Sequence, residues 1–185
     1  MHRAGLTVLA LVVPALTLAA VDKHAKHKSW TDKYDRYFRK YSKHYFGPHV
    51  DWHWFKAQAI AESTLKPKAR SKTGARGLMQ ILPSTFREIK KSNPHLVNVD
   101  EPGWNIAAGI YYDRYLYRRW DKGFPFHERL AFTFGSYNAG FGGVNKAYKK
   151  AENKHPEIKA WDQVAPYAPR QTRSYVKRIR KLMKR

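Results

Sequence analysis

Cysteine is missing from all 185 positions of this chain. Disulfides, thiolate metal sites and a cysteine nucleophile are thereby excluded. So is a diacylglycerol-modified cysteine, and the chain is not a lipoprotein. Acidic residues are scarce: 14 Asp and Glu stand against 36 Lys and Arg, a formal charge of +22. Such a balance draws a protein to a polyanion, whether nucleic acid, an anionic membrane or an acidic cell-wall polymer. Apolar–polar alternation of strand length is absent, as is any internal repeat, which argues for helices. Long apolar runs are also lacking. The one candidate, Leu6 to Leu18, contains Pro14 and is short for a membrane span. Behind His2 and Arg3, and ahead of the small pair Ala19-Ala20, it reads as an export signal over residues 1–20. An uncleaved anchor is the alternative. Export to the periplasm or cell envelope argues against a nucleic-acid partner.

What is present is a globular composition. Hydrophobic residues make up 43% and aromatics 15%, and the length suits one domain that buries its core without staples. Residues 21–50 read as a basic extension, flexible to about Lys33, followed by a helix with aromatics at Tyr34, Tyr37, Phe38, Tyr41 and Tyr45. Gly47-Pro48 breaks that helix, and Asp51 caps the next, over Trp52 to Ser63. Pro83 opens a further helix through about Lys91. Periodic segments follow at Trp104 to Trp120 and His127 to Asn138. Gly140, Gly142 and Gly143 precede a helix from Val144 to about Glu152. Pro156, Pro166 and Pro169 punctuate a loop before a last helix, roughly Arg170 to Lys184. The fold class expected is mainly α, a single helical domain with a catalytic cleft.

Glu62 closes the apolar segment AQAIA and opens ESTLKPKARSKTGARGLMQILP, which runs to Pro83. A carboxyl at the end of an apolar helix is partly withdrawn from water. That raises its pKa and suits a general acid. Taken alone, Glu-Ser is an ordinary exposed helix end. Ser71, Gly74, Gly77 and Gln80 follow in a turn-rich loop, where the glycines allow positive φ and close backbone approach. The Gln80 amide both donates and accepts, which suits an acetamido sugar, and Met79 and Leu82 supply apolar wall. The plainer reading is a glycine-rich loop with packed side chains. A second cluster, Tyr137-Asn138-Ala139-Gly140, ends a helix. Tyr137 could reach the acid or the sugar through its hydroxyl, while Asn138 and Gly140 would shape the turn.

From about Trp52 to Val176 the chain resembles the soluble lytic transglycosylase domain family, lysozyme-like enzymes that cleave peptidoglycan. The resemblance is carried by Glu62-Ser63, Pro67 to Ala69, and S-x-x-G-A-x-G-L-M-Q-I-x-P from Ser71 to Pro83. Asn105-Ile106 with Gly109, Tyr137 to Gly140, and QTRSYV from Gln171 complete it. No one of these is specific alone; together, in the family's order and spacing, they are. The resemblance implies a catalytic domain over 51–185 and Glu62 as sole catalytic acid and base. Ser71, Met79, Gln80 and Tyr137 would contact the sugar, and Asn138 would support them. Gln171 stands where the family often has Glu, so a secondary carboxylate contact is lost.

The resemblance also implies a chemistry. Most glycosidases use two carboxylates, and nothing in the spacing assigns Glu88, Asp100, Glu101, Asp113 or Glu128 to the site. One suffices if the substrate helps. Glu62 protonates the leaving glycosidic oxygen, then as carboxylate takes the proton of the muramyl 6-hydroxyl, closing a 1,6-anhydro ring. No metal and no cofactor are called for, and the protein is expected to act as a monomer on peptidoglycan glycan strands, with anionic envelope polymers as further partners. One rival is a goose-type lysozyme-like hydrolase, in which water replaces the 6-hydroxyl. Another is a non-catalytic polyanion-binding or membrane-active protein. For that reading the last helix offers an apolar face of Tyr175, Val176, Ile179, Leu182 and Met183 under a basic one. Histidine pairs at His24/His27 and His49/His53 have metal-compatible spacing, but the sequence arranges no third ligand with either.

Overall fold

A computed structural model describes residues 30–120 and 123–184. The expected export signal, most of the basic extension, and His24 with His27 lie outside the described residues. Eight α-helices follow one another: α1 (Asp35–Phe46), α2 (His53–Ser63), α3 (Pro83–Ser92), α4 (Pro102–Arg119), α5 (Phe126–Ala139), α6 (Phe141–Glu152), α7 (Trp161–Val164) and α8 (Arg170–Met183). Among the described residues the extended structure amounts to two isolated bridges, Arg70 with Arg76 and Arg76 with Ile81. The mainly helical fold expected from the sequence is the one observed.

Local chemistry sets the helix ends. The Asp51 carboxylate accepts from the backbone N–H of His53 at 3.0 Å and opens α2. Glu101 does the same for α4 through Gly103 N–H at 3.1 Å, and Pro102 takes the first helical position. Two short elements depart from the sequence reading. Asp32–Tyr34 forms a 3₁₀ turn capped by Thr31 in the segment expected to be flexible. The proline-marked stretch contains α7 and the 3₁₀ turn Ala165–Tyr167. Tertiary packing explains α7, because Trp161 is buried against Gly135, where a Cβ would come within 2.7 Å of its ring. In addition, α6 begins at Phe141, so Gly142 and Gly143 belong to its first turn rather than to a loop.

Helices α4 and α5 form the centre. α1 packs on α4; α4 on α5; α5 on α6 and α8; and α2 on α8. α1 precedes the boundary expected at residue 51, yet Phe38 and Tyr41 lie in the shared core. Trp120, Phe132, Phe124, Tyr148 and Trp161 interlock at centroid distances between 4.6 and 6.4 Å, within the range where aromatic pairs add to area burial. The apolar face of α8 (Tyr175, Val176, Ile179, Leu182) is buried in this packing. Arg180 ties it down by bonding Glu128 at 2.7 Å and Asp162 at 2.9 Å. That face is therefore committed to the protein core and not to a membrane surface. Among the described residues no helix is long and apolar enough to cross a membrane.

Candidate active site

Glu62 occupies the last turn of α2, on the helix's C-terminal, electronegative end. It is only partly exposed. Burial is the main force on its carboxyl and pushes it up to about 8. Two groups oppose that rise. The Tyr175 hydroxyl on α8 donates to Glu62 Oε1 at 2.5 Å, and the Arg178 guanidinium adds an attractive charge. Arg178 also donates to the carbonyls of Ile60 and Ala61, both at 3.4 Å, satisfying the end of α2. Burial thus favours the protonated carboxyl at neutral pH, with Oε1 held by Tyr175. That is the state a general acid needs. We expect Tyr175→Phe to remove the bond that lowers the Glu62 pKa. A hydrogen bond to a charged group is worth about 1.5–3 kcal/mol, so the rate should fall at least tenfold and the alkaline limb of kcat/KM should move to higher pH. A pH–rate profile in which the limb stays put would refute the contact.

Immediately after Ser63 the chain leaves the helix abruptly. Thr64 (φ 55°) and Leu65 (φ 57°) are left-handed, and Gln80 (φ 47°) is the third non-glycine residue of this kind among the described residues. All three follow the acid in the chain, two of them directly after its helix. Strain of this sort persists only where surroundings over-determine the backbone, and it clusters at functional sites. Here the surroundings are visible. Ser63 Oγ donates to Leu78 O at 2.8 Å. Arg76 and Ile81 exchange backbone hydrogen bonds at 2.9 Å each, and Gly77 N–H reaches Ala69 O at 2.9 Å. Asn105 of α4 then clamps the loop from beneath. Its Oδ1 accepts from Met79 N–H at 2.7 Å, and its Nδ2 donates to Arg76 O and Val99 O, both at 2.9 Å. Gly77 (φ +75°) is required here, since a Cβ would lie 2.5 Å from the Asn105 amide.

The residues expected to grip a sugar are brought together around this loop, but mostly as its scaffold. Ser71 organises its own turn, accepting from Ala75 N–H at 2.9 Å and meeting Thr73 Oγ1 at 2.9 Å. Met79 is wholly buried. Gln80 is 3% exposed, and its NH₂ donates to Gly77 O at 2.9 Å and Ala69 O at 3.3 Å. Tyr137 is wholly buried and donates to Met79 O at 2.7 Å. The hydroxyl that reaches the acid is therefore that of Tyr175, which the sequence reading had placed only on the packing face of the last helix. Asn138 Oδ1 accepts from Thr172 Oγ1 at 2.9 Å, joining the end of α5 to α8. Asn105 was visible as a motif residue, but its three-way clamp depends on contacts 26 or more residues apart in part and has no local signal.

The five carboxylates weighed beside Glu62 in the sequence have distinct fates. Asp100 pairs with Arg70 and Arg76, Glu88 with Lys91, and Glu101 caps α4. Glu128 holds Arg180 and the Trp161 N–H. Asp113 is wholly buried, bonded to Gln58, and close enough for Glu62 to act on its charge. A buried carboxyl of that kind has no access to a substrate or to an attacking water. His53 bonds Asp51 at 2.6 Å and stacks on Trp52, and no group of three or more His, Cys, Asp and Glu arranged for a metal occurs among the described residues.

Comparison with known proteins gives one consistent result. Residues 36–160 match the family model described as the transglycosylase SLT domain. The membrane-bound lytic murein transglycosylase F of Shewanella halifaxensis is 33% identical over 149 residues, which is 80% of this chain and 29% of the relative. The protein of that name from Vibrio parahaemolyticus is 31% identical over 160 residues, or 84% of this chain and 29% of the relative. The chain thus spans under a third of these relatives. Among solved structures, the 70 kDa soluble lytic transglycosylase SLT70 of Escherichia coli superposes with a TM-score of 0.65 at 26% identity, covering 80% of this chain and 23% of that one. A complex of the 70-kDa soluble lytic transglycosylase with bulgecin A gives a TM-score of 0.68 at 25% identity, over 84% and 24%. With the model match spanning most of the folded chain and the helical fold shared, this protein belongs to the transglycosylase SLT domain family.

Proposed function

We propose that this chain is a peptidoglycan lytic transglycosylase that cleaves the β-1,4 bond between N-acetylmuramic acid and N-acetylglucosamine, with Glu62 as its single acid and base. The observation that carries the reading is the Glu62 carboxyl, raised by burial to about 8 and pinned by one oxygen to Tyr175 at 2.5 Å, with the Asp113 carboxyl sealed in the core. In the first step the proton on Oε2 passes to the glycosidic oxygen, and the C1–O bond breaks. The acetamido group of the muramyl sugar stabilises the cationic carbon. In the second step the Glu62 carboxylate takes the proton from the 6-hydroxyl, whose oxygen bonds C1, and the acid is regenerated. No water is consumed. The Gln80 amide, whose NH₂ is used inside the loop, offers its Oε1 to the acetamido N–H of the sugar.

The cationic surface supports an envelope setting. Arg173, Lys177, Lys181 and Lys184 are exposed on the outer face of α8, where they can hold the enzyme near carboxylate-bearing peptide stems and other anionic polymers by a salt-screened attraction. Mass spectrometry of products from purified peptidoglycan tests the chemistry. Lytic cleavage gives muropeptides ending in 1,6-anhydro-muramic acid, each lighter by one water than the hydrolytic product. Reducing ends alone would assign the chain to hydrolysis.

A further inference from the structure

Behind Glu62 the core contains a polar pair that the reaction does not use. Gln58 precedes Glu62 by four residues on α2, so the two share a helix face one turn apart. Gln58 Nε2 donates to Asp113 Oδ1 on α4 at 3.1 Å. Both residues are wholly buried. Two atoms of the pair lack any hydrogen-bond partner, Gln58 Oε1 and Asp113 Oδ2, and both are acceptors. A carboxylate cannot mend that, because it brings no donor. One added proton can: a carboxylic acid O–H supplies the single donor that both orphan oxygens lack, and a reciprocal acid–amide pair results.

We propose that Asp113 is held as a neutral acid paired with Gln58, and that this pair is the positioning element that fixes the catalytic helix on α4 and leaves Glu62 as the only carboxyl able to ionise in the site. The surroundings agree. Glu62 on α2, Tyr137 on α5, Tyr175 and Arg178 on α8, and Tyr112 on α4 itself are the titratable groups gathered here. From α1, which packs on the same helix, Tyr45 meets Tyr111 edge-on. Burial first, and the Glu62 charge as well, drive the Asp113 carboxyl well above the usual carboxylate range; the Gln58 bond opposes them. The neutral state matters for catalysis. When Glu62 gives up its proton, a second negative charge close enough to act on it would oppose that step. With Asp113 neutral, no such charge exists. α4 then serves both halves of the site, through Asn105 to the loop and through Asp113 to the helix that carries the acid.

The proposal rests on Glu62 being the acid, but one of its two tests does not depend on activity. Folded Asp113 binds its proton more tightly than unfolded Asp113. Its contribution to stability is therefore greatest at low pH and declines as pH rises above the unfolded value near 4. In Asp113→Asn that decline is abolished, so the melting temperature of the variant should gain on wild type steadily from pH 5 to pH 9. A gap that is flat, or that moves in favour of wild type, shows an ordinary ionised Asp113 and overturns the proposal. The second test is kinetic, at pH 6, on folded protein. Asp113→Leu should lose at least tenfold in kcat with KM within twofold, and Asp113→Asn, which restores a reciprocal pair, should recover most of it. Equal loss in both variants would reduce the pair to packing and overturn its positioning role.

Discussion

Replacing Glu62 by glutamine is expected to lower peptidoglycan cleavage by about 10³-fold or more while raising stability at alkaline pH. The kinetic part follows from asking one group to be both acid and base. General acid–base catalysis contributes roughly 10²–10⁴-fold, and Asp113, the carboxyl that Glu62 acts on, is buried in the core and bonded to Gln58. The stability part follows from linkage. Glu62 is raised to about 8 by burial, whereas an unfolded Glu titrates near 4.3. Between those values the folded state holds a proton that the unfolded state has lost, so stability falls as pH rises, by up to about 1.4 kcal/mol per pH unit. The amide has no proton to lose and escapes this. Its melting temperature should match wild type near pH 4 and exceed it increasingly towards pH 8. Wild-type activity itself should be flat on the acid side and fall as pH passes about 8, where the catalytic proton leaves. A Glu62→Gln protein that cleaves at near wild-type rate removes Glu62 from the chemistry; one that melts lower at pH 8 contradicts its burial as a strained acid.

The second large effect is expected at Asn105. Truncation to alanine orphans two backbone groups, Met79 N–H and Val99 O, and strips one of the two bonds from Arg76 O, which keeps Ile81 N–H. Each unsatisfied group costs about 1–3 kcal/mol, so a loss of about 2 kcal/mol or more is anticipated by urea unfolding. Activity should drop by about 10²-fold even in the folded fraction, because a displacement of the order of 1 Å in a positioning element is enough for that. The mechanism is indirect. Asn105 never meets the substrate; it holds the Met79–Gln80 backbone that Tyr137 holds from the other side. Cleavage by Asn105→Ala at the wild-type rate would mean that the loop keeps its shape unaided.

Much of this was legible in the chain itself. Helical spacing gave α1 through α6 and α8 to within a few residues, because an amphipathic helix writes its period locally. It did not give α7, which exists because Trp161 packs against Gly135. Nor did it give the first turn of α6, where Gly142 and Gly143 read as loop until Phe141 packs against Trp120 at 5.1 Å. The acid and its glycine-rich loop were identified by motif, and Glu62 stands where that loop begins. The partners of the acid were another matter. Tyr137 was expected to present its hydroxyl to acid or sugar, and it spends it on Met79 O instead. Tyr175 looked like one more apolar-face residue of a basic amphipathic helix, and it is the donor to Glu62 across 113 positions of sequence.

The amino-acid sequence by itself determined the helical class, the motif that singles out Glu62 as the candidate acid, and the cationic character, because each depends on composition or on residues near one another in the chain. Only the tertiary structure decided which protonation state that carboxyl holds and what keeps it there. The reason is that desolvation and hydrogen bonding are set by what folds over a group, not by its neighbours in sequence. Glu62 is raised as an acid because the fold buries its carboxyl, against the opposing pull of Tyr175 and Arg178 that α8 brings over the end of α2, while Asp113 of α4 bonds Gln58 of the acid's own helix. None of those contacts is written within ten residues of Glu62 except Gln58, and Gln58 alone does not reveal that its partner is a buried acid.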